Sequence, residues 1–403
     1  MDTESPPPRL PPEMFHRIRD SLASAGPVDA ADRLIESLRE ADDPQALFYA
    51  LLLKSRVALG VTPFPTGPSA DLPADVHAAY EDAIRIAARD VGHGLLAKGN
   101  VARAWPYFRL IQETDPVKQA LESYRPGPED DPYPVIDIAW QQGQHPTRGF
   151  DLILDRQGIC SAITLVSGSD LSTAQDVRDY CVGKLVRALT DQLKERLIAD
   201  RDGRGMPSLA GASVMELIAG APELFDEDGY HIDLSHLMSV VQLALGLPGG
   251  MERDLAVELC EYGRRLGPGV RGKGDLPFDE PYSDQLVYLN ALSGRDLDEA
   301  VLHFTAKADR AAAEGNPFAV EAVVNLFVRL GRDRDALALA SRHLAELNEG
   351  ELGCPPATEL ARRVGDFGAV IQLAEAKGDA VTFLAGLIAG SQSREAKPGV
   401  EAK

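Results

Sequence analysis

Apolar residues recur three or four positions apart along most of the chain, the spacing that gathers them on one face of an α-helix. Near the N-terminus this pattern predicts three helices, in PEMFHRIRDSLASAG, PVDAADRLIESLREA and DPQALFYALLLKSRVALG, with Phe15, Ile18 and Leu22 on one face of the first. Each opens at a proline-containing or acidic start, and the first and third close at Gly26 and Gly60, which fits the preference for proline just inside a helix and glycine just past its end. A further helix, from Thr173 to Asp200, carries Leu185, Leu189, Leu193 and Leu197 at strict four-residue spacing, a stripe that neighbouring helices or a partner must cover. The segment HPTRGFDLILDRQGICSAITLVSG reads as two short helices, opened by Pro146 and divided by Gly158 as a C-cap. A β-hairpin through Gly158 is the alternative, because ICSAITLV is rich in β-branched residues.

A longer period overlies the helical one. In LSGRDLDEAVLHF, LGRDRDALALA and VGDFGAVIQLA, Gly294, Gly331 and Gly365 stand 37 and 34 residues apart, close to the period of about 34 residues of helical-hairpin repeats. Each glycine ends a first helix, and an alanine soon after lets a second helix approach closely. The segment PFAVEAVVNLFVRLGRDRDALALASRHLAELN resembles a whole tetratricopeptide repeat, with Leu326, Leu330 and Gly331 on the first helix and Ala336 and Ala340 on the second. GLLAKGNVARAWPYFRLIQETDP resembles another, with Gly99, Ala104, Phe108 and the closing Asp115-Pro116 in the family's order. The resemblance covers residues 73–124 and 281–390, and it is degenerate: Val323 or Leu326 stands where the family has a large aromatic, and the alanine after Gly365 comes at four rather than five.

These patterns predict an all-α fold, an α-solenoid of stacked tetratricopeptide-like hairpins with a non-repeat helical middle. The expected divisions are a disordered tail at 1–12, N-terminal hairpins at 13–128, the middle at 129–276, repeats at 277–390 and a second disordered tail at 391–403. Trp105 and Trp140 fall inside helical patterns, where core packing is their expected role.

Composition narrows the partners. Across 403 residues, 62 acidic against 41 basic side chains leave a net charge of −21, a field that repels phosphate backbones and anionic lipids. Neither nucleic acid nor membrane is an expected partner. The four cysteines, Cys160, Cys181, Cys260 and Cys354, lie far apart with no CxxC pair, which fits buried thiols in a reducing cytoplasm better than a disulfide framework or a zinc ribbon. MDTESPPPRLPPE has no apolar core of the kind a secretory leader needs, and no later stretch approaches the ~20 apolar residues of a membrane span.

One polar constellation merits a chemical reading. In FDEDGYHIDLSHLMSVVQLALG, Asp233 is positioned to N-cap a helix and His236 then falls at its third residue. His231, Asp233 and His236, joined by His145 or Cys160, would complete a zinc-like ligand set if the fold brought them together. The spacing is not the H-E-x-x-H of a metalloprotease helix. A calcium loop fails as well, since aligning its glycine on Gly229 leaves Leu224 and Ser235 at the first and last ligand positions. RRLGPGVRGKGDLPFDEPYSD lacks the GK[ST] ending of a phosphate-binding loop and reads as an irregular segment whose Arg264, Arg265, Arg271 and Lys273 could dock an anion. The leading expectation is therefore a non-catalytic interaction scaffold, with no cofactor, that binds a protein or peptide in its groove. The resemblance also implies basic and amide side chains that clamp a peptide, and Asn325, Arg329, Arg332 and Arg342 are the candidates. A metal-dependent enzyme or metal-binding protein, built on His145, His231, Asp233 and His236, is the competing expectation.

Overall fold

Proline at the first or second helical position and Asx side chains at the cap start many of the elements in the computed structural model, which describes residues 11–66, 72–207, 209 and 211–395. Helix makes up 73 % of the chain, and no strand occurs among the described residues. The protein is all-α.

The chain divides into two compact units, one up to Gly158 and one from Ile159 onward. The division falls inside the 129–276 stretch rather than at either of its ends. The first unit holds α1 (Pro12–Ala25), α2 (Pro27–Glu40), α3 (Pro44–Ala58), α4 (His77–Ala97), α5 (Val101–Leu110), α6 (Asp115–Ser123) and α7 (Tyr133–Ile136), which runs into a π-helical turn at Asp137–Gln141. α8 (Pro146–Gly168) is two helices joined at Gly158, whose φ of 82° and ψ of 178° are not helical, so the two-helix reading holds and the hairpin does not. The second unit continues with α9 (Gln175–Gly203), α10 (Val214–Ile218), α11 (Leu234–Ala244), α12 (Met251–Arg265), α13 (Pro268–Arg271) and α14 (Ser283–Leu292). It ends with α15 (Leu297–Ala313), α16 (Pro317–Arg329), α17 (Asp333–His343), α18 (Ala357–Arg363), α19 (Phe367–Lys377) and α20 (Ala380–Glu395). The expected tails lie largely outside the described residues, although Pro12 already belongs to α1 and residues 391–395 continue α20.

From α14 to α20 each helix packs against its neighbours in sequence, and one turn chemistry makes most of these reversals. After α16, Gly331 takes φ 69°, a conformation that costs glycine nothing. Its N–H donates to the Val328 carbonyl at 3.0 Å, and the next N–H, of Arg332, reaches back to Phe327 at 2.8 Å. That pair satisfies carbonyls at the helix end which have no helical partner. The same two bonds recur at Gly99, Gly294, Gly315, Gly365 and Gly378. At three of these turns the residue after the glycine caps the next helix: Asn316 accepts from Ala319 N at 3.2 Å, Asp366 from Ala369 N at 3.0 Å and Asp379 from Thr382 N at 3.0 Å.

Four residues beyond the cap position, every following helix from α15 to α17, and α5 and α19 as well, buries a small or β-branched side chain: Ala104, Ala300, Val320, Ala336 or Val370. This explains the irregular alanine after Gly365. Val370, at five, fills the slot that Ala336 fills after Gly331. Ala336 and Ala340 are both fully buried, as the close crossing of hairpin helices requires.

The leucine stripe of α9 is covered from within the chain: Leu185, Leu189, Leu193 and Leu197 are all fully buried, and α10, α11 and α12 pack on that helix. Trp105 is buried in the first unit with its Nε1–H donated to Gln142 at 2.8 Å, and Trp140 packs beside Phe150. Between α14 and α15 lies a buried ionic knot. Lys307 Nζ donates to Asp284 and to Asp279, each at 2.7 Å, and His303 closes on the other oxygen of the fully buried Asp284, also at 2.7 Å.

Candidate binding groove

α18 and α20 both pack on α19 and leave a groove of 450 Å³ between them. The close seating of α20 follows from its sequence. A side chain at Gly386 would meet Ile371 Cγ1 at 3.0 Å and Val370 Cγ1 at 3.2 Å, so any larger residue would push those side chains aside. One turn on, a Cβ at Gly390 would make only an ordinary contact with Phe367 Cβ at 3.5 Å. Among the described residues nothing covers the outer side of α20, where Leu384 is 57 %, Leu387 45 % and Ile388 49 % exposed, and Val381, at the edge shared with the groove, is 81 % exposed. Spaced three, four and seven apart, these four form one continuous ridge.

Phe367 and Val370 of α19 floor the groove, and Val381, Ala385 and Ala389 of α20 form one wall. Charges gather at the α18 rim, where most are already satisfied. Glu349 accepts from Thr358 Oγ1 at 2.9 Å and Lys377 Nζ at 2.6 Å, while Glu359 accepts from Arg363 Nε at 3.1 Å. Arg362 lines the groove without a hydrogen bond or ion pair from its guanidinium to any described residue. A larger cleft of 670 Å³ lies beside Pro268–Ser283, but its lining includes Arg271, Lys273, Asp279 and Glu280, a wet and charged wall. Burying apolar surface drives most association, and that makes the smaller groove the better docking surface. The irregular segment's arginines are partly engaged, Arg265 with the Ile218 carbonyl at 2.6 Å and Arg271 with that of Arg264 at 3.2 Å.

The four residues expected to clamp a peptide serve the fold, and none lines the groove. Asn325 donates to the Gly353 carbonyl at 2.8 Å. Arg329 reaches the Leu245 carbonyl, the Leu247 carbonyl at 3.0 Å and Tyr288 Oη at 3.2 Å, tying α16 to the end of α11. Arg332 pairs with Asp335 and Asp298, and Arg342 with Asp309.

The histidines face separate tasks. His145, in the first unit, lies near Thr147 Oγ1 at 3.3 Å and Arg148 N at 3.4 Å. His231, in the second, is held between Tyr262 and Asp200: its N–H donates to Tyr262 Oη at 2.8 Å, and Nε2 stands 3.2 Å from Asp200 Oδ2. Burial lowers the His231 pKa and raises that of Tyr262. Asp233 caps α11 as its position in the sequence suggests, accepting from Ser235 N at 2.8 Å and His236 N at 3.1 Å, and the Ser235 hydroxyl bond lowers its pKa. Among the described residues no three His, Cys, Asp or Glu side chains are grouped to hold a metal ion. None of the four cysteines forms a disulfide; Cys181, Cys260 and Cys354 are buried as expected, whereas Cys160 is exposed.

The chain matches no family model, no curated protein and no solved structure. Among the described residues, no helix is long and apolar enough to cross a membrane.

Proposed function

We propose that the protein is a non-catalytic interaction scaffold, a tetratricopeptide-like α-solenoid that holds a peptide or helix of a partner protein in the groove between α18 and α20. The observation that carries this reading is the groove's apolar floor and wall, Phe367, Val370, Val381, Ala385 and Ala389, left open to a ligand. The solenoid reading is supported by the repeated glycine turn and the small buried residue four beyond each cap, which are the local requirements of stacked hairpins. Its geometry suits helix-in-groove recognition, where apolar anchors supply affinity and the rim supplies orientation. No cofactor enters the reading. Four cysteines with no disulfide among them favour a reducing, cytoplasmic setting, and the charge of −21 disfavours nucleic acid.

Selection of a displayed library of random peptides against the full chain tests it, with Ala385→Trp as control. Ala385 is exposed on the groove wall, so the indole fills the groove without entering the core. Peptides enriched on the natural chain should lose most of their binding to the variant. Enriched peptides that bind both proteins alike, or no enrichment, would sink the reading.

A further inference from the structure

The groove is apolar along its floor and its α20 wall and polar along α18, where Thr358, Glu359 and Arg362 line it. The carboxylates around Arg362 are engaged elsewhere. Glu349 and Glu359, which line the groove with it, are taken by Lys377 and Arg363, and Asp366, four residues on, caps α19 through Ala369 N. In a chain of net charge −21, this rim therefore carries an arginine that no described carboxylate answers. We propose that the groove's partner is an amphipathic helix of another protein whose apolar face lies on Phe367, Val370 and Val381 and whose flank offers a Glu or Asp side chain to Arg362. The inference rests on the scaffold reading and narrows it to one kind of partner.

The helical form of the partner follows from the groove's construction. Its walls are helices, whose backbone groups are bonded along their own axes, and no strand occurs among the described residues to receive an extended chain by edge pairing. A segment that brings its own internal hydrogen bonds leaves no backbone group unsatisfied when it covers Phe367 and Val370.

The carboxylate follows from the charge. A wholly apolar segment laid beside Arg362 takes water from a guanidinium and returns nothing, whereas a carboxylate makes a charge-assisted pair with the arginine fork. Its place on the partner is set by the sidedness of the groove. Exposed apolar surface continues from the floor over Val381 to Leu384 and Ile388, so the carboxylate belongs on the other flank of the docked helix, beside α18. The net charge of the chain opposes an acidic partner at long range. Screening over about 8 Å at physiological salt leaves the decision to the rim itself, where Arg362, Arg363 and Lys377 face Glu349 and Glu359.

The test is selection from a displayed library of helical peptides with Leu, Ile, Phe or Val at positions i, i+3, i+4 and i+7, and Glu, Gln or Lys in equal shares elsewhere. A fixed uncharged sequence after the helix keeps its terminal carboxylate remote. The full chain is compared with Arg362→Gln and Arg362→Glu, both at an exposed position, where circular dichroism should show an unchanged fold. On the natural chain Glu should be enriched about 5-fold over Gln at one flank position, the order expected of a single ion pair at a partly exposed site. That preference should vanish on Arg362→Gln and turn to Lys on Arg362→Glu, and Ala385→Trp should remove the binding of all these peptides. Peptides lost on Ala385→Trp that show no Glu preference on the natural chain, or keep it on Arg362→Glu, would overturn this inference and leave the scaffold reading standing. No enrichment, or peptides indifferent to Ala385→Trp, would overturn both.

Discussion

Replacing Ala336 by leucine tests the hairpin geometry where it is tightest. Ala336 stands four residues after the cap position of α17, is fully buried, and lies on the helix that packs on α16 and α18. Leucine adds three carbon atoms to a site already at the packing density of a protein interior, so either the side chain leaves its rotamer minimum or the helices separate. Such overpacking costs about 1–3 kcal/mol. Ala338, two residues further along the same helix, is exposed, and Ala338→Leu carries the same change in propensity and volume with no packing penalty, within about 0.5 kcal/mol of wild type. Urea unfolding followed by helical circular dichroism gives both midpoints. Equal midpoints for the two variants would mean that position 336 is not a crossing point, and the hairpin reasoning would fail with it.

Four further outcomes follow from the same contacts. Gly331→Ala should destabilise by about 1–2 kcal/mol although its Cβ meets nothing within 4 Å, because φ is 69°, and Gly331→Asn should recover part of the loss; thermal unfolding of the two checks it. Lys307→Met leaves the fully buried Asp284 with only His303 as ionic partner and should cost about 3–5 kcal/mol, read by urea midpoint. Asp233→Asn should leave the melting temperature nearly unchanged and Asp233→Ala should lower it, since asparagine caps about as well as aspartate. Because burial depresses the His231 pKa below 6.5, the unfolded chain takes up that proton first, so stability is full above about pH 6.5 and falls as pH drops through and below it. His231→Gln should flatten this decline in melting scans between pH 7.5 and 5.5, and an unchanged slope would contradict the assignment.

The helical class was legible because it rests on local rules: glycines 26, 60, 158 and 331 each end or divide a helix where periodicity breaks, and Asp233 caps α11. The turn chemistry was only half read. Gly294, Gly331 and Gly365 stood out by spacing, but the capping Asn316, Asp366 and Asp379, each directly after a glycine, carried an equally regular signal, as did the small buried residue four positions beyond the cap. The groove was harder to find. Its walls come from α18 and α20, which both pack on α19, and its one local mark is Gly386, where α20 approaches α19 closely. The partners of the clamp candidates were hidden for a related reason. Arg329 and Asn325 look available on a helical wheel, but their acceptors, at Leu245, Leu247 and Gly353, lie in other parts of the chain and are invisible to periodicity. The division of the units at Gly158 likewise depends on contacts remote in sequence.

Backbone amide exchange, measured with and without a peptide from the display selection, tests the central claim most directly. The account predicts added protection in α18 and α20, near residues 356–362 and 381–389, with little change near 325–342. Protection centred on Asn325, Arg329, Arg332 and Arg342, or spread away from α20, would contradict the groove as the docking site.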